Sequence, residues 1–108
     1  MKLVVATDGS AHAIRAASLT ARLTRELSKS EVLLITVGHV STLAMGGVAG
    51  DMIVDLKIIE QGLAEAARAI LDQTRREFDG TGVAVATAYR KGDPATEIVK
   101  TAQEAGRT

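Results

Sequence analysis

The 108-residue chain has no cysteine and no tryptophan, a single proline, and two aromatic side chains, Phe78 and Tyr89. Without cysteine there is neither a disulfide framework nor a thiolate metal site. With so few aromatics the core has to come from Val, Ile, Leu and Ala, which bury less area per side chain and leave a small domain little stability in reserve. Net charge is missing as well, since thirteen basic residues balance thirteen acidic ones. No field of one sign therefore draws the chain to nucleic acid or to an anionic membrane. The densest basic spot, Arg75-Arg76, reads as a solvated helix end, where cations meet the negative pole of the helix dipole. No apolar run approaches the roughly 18 residues of a membrane-spanning helix. Met1-Lys2 is expected to lead straight into a strand with no targeting leader. The expectation is one globular cytoplasmic domain over residues 1–108.

What is present alternates between two periodicities. Leu3 to Ala6 and Val32 to Val37 are short unbroken apolar runs, the pattern of strands covered on both faces. Val83 to Tyr89 is a third candidate strand, with the weaker alternation of a sheet edge. Between the first two, Ala13, Ala16, Thr20, Leu23 and Leu27 step by three and four, which predicts one buried face of a helix capped by Ser10. A longer helix is expected from about Asp51, with Leu56, Ile59, Leu63, Ala66, Ile70 and Thr74 facing inward, ending near Asp79-Gly80. A last helix opens at Asp93-Pro94 and runs through Ile98 and Ala102 to the end. The order βαβαβα predicts an α/β fold, a parallel sheet with crossover helices in three layers, α/β/α.

Thr7-Asp8-Gly9-Ser10 follows the first strand directly. In open parallel sheets ligands sit beyond the carboxyl ends of the strands, so this turn is a candidate binding loop: Gly9 permits a tight bend, the next helix offers unpaired N–H groups, and Asp8 supplies an acceptor. The same residues also make an ordinary strand-to-helix turn with a cap. Catalytic chemistry finds little support. Gly46 to Asp51 has glycines without the lysine and hydroxyl of a phosphate-binding P-loop, and no GxGxxG follows a strand. His12 and His39 each lack a second ligand at metal spacing, and Ser10 has no base beyond His12 nearby. Glu60, Glu65 and Glu77 sit among basic neighbours, as on a solvated helix face. No enzyme is expected, and no metal site. The twelve residues His39 to Gly50, rich in small side chains, read either as a lid or partner contact or as a plain surface loop.

Three pieces in order, VVATDGS, EVLLITV and Gly92-Asp93-Pro94-Ala95-Thr96-Glu97-Ile98-Val99, with the long glycine-containing loop before the second helix, resemble the universal stress protein family from Lys2 to about Gly106. The resemblance implies strand order 3-2-1-4-5 and, in one branch of the family, bound ATP or AMP. Carried over by position, Ala6, Thr7 and Asp8 would lie against adenosine and the backbone of Val37 would read the adenine edge, while Thr36 stands where many relatives have histidine. Relatives continue beyond the equivalent of Glu104-Ala105-Gly106 into a fourth strand, a glycine-rich phosphate loop, a helix and a fifth strand. The expectation for this chain is a shortened fold, strand order 3-2-1, without that phosphate clamp. The signatures of the catalytic branches of the wider superfamily, SGGxDS and HxGH, are not found in it. Two functions follow: a stress-response protein that binds adenine nucleotide without turning it over, or an interaction module that has lost the nucleotide. Leu3, Val4 and Val5 would become an edge strand, which native proteins seldom leave bare, so a homo-oligomer through the first-strand edge is expected.

Overall fold

The strand Glu31–Gly38 (β2) is the centre of the molecule, because its alternate side chains reach both layers of core: Val32 is 2% exposed and Leu34 and Ile35 not at all. The computed structural model describes residues 2–27, 29–38 and 56–106, with Leu56 and Lys57 by backbone only. Lys2–Ala6 (β1) pairs with one side of β2 and Ala84–Lys91 (β3) with the other, both parallel, giving the spatial order β1-β2-β3. The expected 3-2-1 arrangement and the α/β class are therefore present. The register aligns Leu3 with Val32 and Val85, and Val5 with Leu34 and Thr87, on one face of the sheet.

That face is covered by the helices Ala11–Arg25 (α1) and Leu56–Arg75 (α2), the latter continued by a 3₁₀ turn, Arg76–Phe78. Ala17 and Ala21 of α1, Leu71 of α2 and Phe78 close on Val32 and Leu34, with Leu3, Val5, Val83, Val85 and Tyr89 packed around them. Small residues on α1 meet the 3₁₀ turn that carries Phe78. The helix Pro94–Gly106 (α3) lies on the other face, over β1 and β2. Both expected caps form: Ala13 N–H donates to Ser10 Oγ at 3.1 Å, and the Thr96 N–H and hydroxyl donate to Asp93 Oδ2 at 3.0 and 2.8 Å.

The helix faces need correction. In α1 the buried positions are Ala17, Ala21 and Thr24, whereas Leu23 is 58% exposed and Leu27, which lies beyond the helix end, 43%. The periodicity through Ala16, Thr20 and Leu23 marks a second apolar flank. At 100° per residue it lies roughly opposite Ser18, Arg22 and Arg25, which face the 3₁₀ turn. It consequently looks outward past β1. In α2 the buried residues are Ala67, Leu71 and Thr74, with Ala66 exposed, and in α3 Thr101 is buried while Ala102 is exposed. Val99 of α3, 56% exposed, also points away from the β3 side, where Glu104 pairs with Arg90 at 3.5 Å. Leu3, Val4 and Val5 are half-buried, and among the described residues β1 has no neighbour on its outer side. The expected start of the second helix near Asp51, and the segment His39 to Gly50, lie outside the described residues.

Leu34→Ala removes a side chain with no exposed surface. It is expected to lower the free energy of unfolding by about 2–5 kcal/mol in urea denaturation, and a loss below about 1 kcal/mol would contradict this core.

Candidate functional site

β1 ends at Ala6, and the next residue is the joint between sheet, turn and helix. Thr7 N–H donates to Ile35 O at 2.9 Å, continuing the strand ladder for one more residue. Its hydroxyl, 5% exposed as a residue, lies 2.9 Å from Thr74 Oγ1 and accepts from Gly9 N–H at 3.2 Å. Thr74 Oγ1 already donates to Ile70 O at 2.8 Å. Its one proton being spent there, Thr7 supplies the proton of the Thr7–Thr74 bond. The Thr7 hydroxyl is therefore committed to holding the turn against α2.

Gly9 follows with φ +78, a left-handed conformation, and a Cβ there would stand 3.1 Å from Ile70 Cγ1. Both observations call for glycine. The bend leaves Asp8 at the rim, where Ser10 N–H donates to its Oδ1 at 2.9 Å. Hydrogen bonding from the Ser10 side chain, then from the Ser10 backbone, holds the Asp8 carboxyl below its ordinary 3.8, with slight burial opposing and Asp8's own backbone and the His12 charge assisting. An anion with free lone pairs thus stands at the mouth of the sheet at neutral pH. His12 is exposed and its Nδ1 lies 2.9 Å from Arg15 Nη2, and His39 is outside the described residues.

Two cavities open beside this turn. One, of about 410 Å³, lies on the α3 side and is lined by Ala6, Thr7, Asp8 and Val37 together with Pro94 and Ile98 among others. All four residues singled out in the sequence border it. The other, of about 290 Å³, lies on the α2 side, shares Asp8 and Val37, and adds Leu63, Ile70 and Tyr89. Pro94, Ile98 and Tyr89 were not foreseen as site residues; the one signal for Tyr89 is that it carries the single aromatic hydroxyl of the chain. A further cavity of about 420 Å³ sits at the opposite end of the sheet, between Leu33, Ala86 and Thr101, away from the carboxyl ends of the strands. Among the described residues no three of His, Asp and Glu are placed to hold a metal ion, and no helix is long and apolar enough to cross a membrane.

A sequence profile of the universal stress protein family matches residues 1–106. The chain belongs to the universal stress protein family. It is 28% identical over 108 residues to universal stress protein YxiE of Bacillus subtilis (strain 168), covering 97% of this chain and 72% of that protein. Its fold is similar to a crystal structure of a universal stress protein family member from Burkholderia pseudomallei, with TM-score 0.77 and 23% identity over 97% of this chain and 74% of that one. It is also similar to a universal stress protein crystallised in complex with cAMP, with TM-score 0.64 and 20% identity over 96% of this chain and 65% of that one. Family membership thus agrees with the resemblance carried by VVATDGS and the Gly92-Asp93-Pro94 cap.

Gly9→Ala forces a Cβ into a left-handed residue that also abuts Ile70. A destabilisation of at least about 1–2 kcal/mol is expected in thermal or urea unfolding, and an unchanged midpoint would show that the turn relaxes freely. Because the folded-state pKa of Asp8 is depressed, the stability its carboxylate contributes is in place above 3.8 and disappears only as pH falls through the folded value. Titrating Asp8 by NMR should give a midpoint under 3.8, and one above it would contradict the bond from Ser10.

Proposed function

We propose that this chain is a cytoplasmic stress-response protein that binds an adenine nucleotide, ATP or AMP, at the end of β1 and does not turn it over. The observation that carries this reading is the convergence of Ala6, Thr7, Asp8 and Val37 on one cavity at the carboxyl ends of two parallel strands, the place where open α/β sheets bind ligands. Asp8 offers an ionised acceptor for ribose hydroxyls or an amino group. The end of β2 brings Val37 backbone to the same space. A relative of the same fold bound to cAMP supports an adenine ligand. Among the described residues no lysine or arginine borders this cavity, so affinity is expected to come from the nucleoside and to vary little with the number of phosphates. Calorimetric titration should therefore give similar weak binding of ATP, AMP and adenosine, lost in Asp8→Ala. Retention of all three by that variant would remove Asp8 from the site.

A second reading, an oligomeric interaction module on the same scaffold, draws on the outer edge of β1. Leu23 of α1 and Val99 of α3, on the helices of the two opposite sheet faces, are both more than half exposed. A strand added at this edge would have to be apolar on both faces, as β1 is. A second copy of this chain therefore fits, and with zero net charge two copies do not repel. In this reading the edge pairs with its twin whether or not nucleotide binds. Sedimentation equilibrium should show a dimer at micromolar concentration that Leu23→Asp converts to a folded monomer, and a wild-type monomer would refute it.

A further inference from the structure

Tyr89 is the one described residue with a buried side-chain polar atom lacking a hydrogen-bond partner among the described residues. It stands on β3 opposite Thr36, on the face covered by α2. Its phenol lies against Gly38, where a Cβ would collide with the hydroxyl and approach ring atom Cε1 to 2.9 Å. The glycine at the end of β2 therefore gives the phenol its room. A phenylalanine would fill the same space with no hydroxyl to satisfy. A buried hydroxyl without a partner among the described residues disfavours the empty protein, which marks this one as a group that a ligand can satisfy.

The setting indicates what that partner is. Tyr89 borders the cavity on the α2 side, whose walls include Leu63 and Ile70 and whose other end is Asp8. Neighbouring strands lie about 4.8 Å apart, which puts the ends of β1 and β3 roughly 10 Å from one another. The cavity thus offers a carboxylate at one end and apolar side chains between, and at the far end a small turn of the Tyr89 ring brings its buried hydroxyl, able to give one hydrogen bond and accept others, to a bound group. A purine nucleoside has matching chemistry: sugar hydroxyls, flat apolar faces, and an outer edge of ring nitrogens and exocyclic groups.

We infer that Tyr89 is the specificity-determining residue for the base, its hydroxyl bonding to the polar edge of the purine while Asp8 holds the sugar end. The inference rests on the nucleotide reading above and extends it to the α2-side cavity. Tyr89→Phe separates the two. Adenosine binding by calorimetry is expected to weaken about tenfold in this variant, the effect of one hydrogen bond, while the melting temperature of the free protein stays level or rises. Equal adenosine affinity in wild type and Tyr89→Phe overturns the role of Tyr89 and leaves the nucleotide reading in place. A wild type that takes up no adenosine overturns both. A free variant that melts lower than wild type shows the hydroxyl bonded within the protein, and overturns this inference alone.

Discussion

The hydroxyl of Thr7 is the constraint on which the candidate site depends. It is bonded to Thr74 of α2 and to the N–H of Gly9, while the Thr7 backbone extends the ladder to Ile35. Sheet, turn and helix are tied at one buried atom, where a hydrogen bond is hard to replace by water. The acceptor of the candidate site, Asp8, lies one residue further on. Asp8 can stand at the rim with free lone pairs because its neighbour has taken the structural duty. Gly9 can bend sharply because Thr7 accepts its N–H.

The strands were legible from the sequence because a buried parallel strand leaves an unbroken apolar run, and Leu3 to Ala6 and Val32 to Val37 are such runs. Caps were legible for the same local reason, Ser10 and Asp93 each bonding to the helix they precede. The helix faces were less so. In a chain this rich in alanine, hydropathy at spacing three and four matches more than one stripe, and the leucines drew attention to the flank with Leu23 in place of the one with Ala17 and Ala21. Which stripe is buried is decided by where Phe78 and Leu71 pack, a tertiary contact that hydropathy does not encode.

Site residues followed a similar division. The turn after β1 could be located from fold logic, because the carboxyl end of a parallel strand is a fixed address. Thr7 was assigned to the ligand by resemblance, and the structure gives its hydroxyl an internal role. Tyr89 was invisible as a site residue, for its meaning depends on Gly38, distant in the chain and across a strand pairing that hydropathy alone cannot register. The turn is local chemistry, whereas the cavity wall is a product of three strands in register.

The scarcity of aromatic side chains has an optical corollary. With one tyrosine and no tryptophan in the chain, emission excited in the long-wavelength tyrosine band, where Phe78 does not absorb, arises from a single ring, and that ring borders the α2-side cavity. The fold thereby carries its own fluorophore at the spot of interest. Changes in quantum yield report on the surroundings of the phenol alone, with no background from elsewhere in the protein and no extrinsic dye.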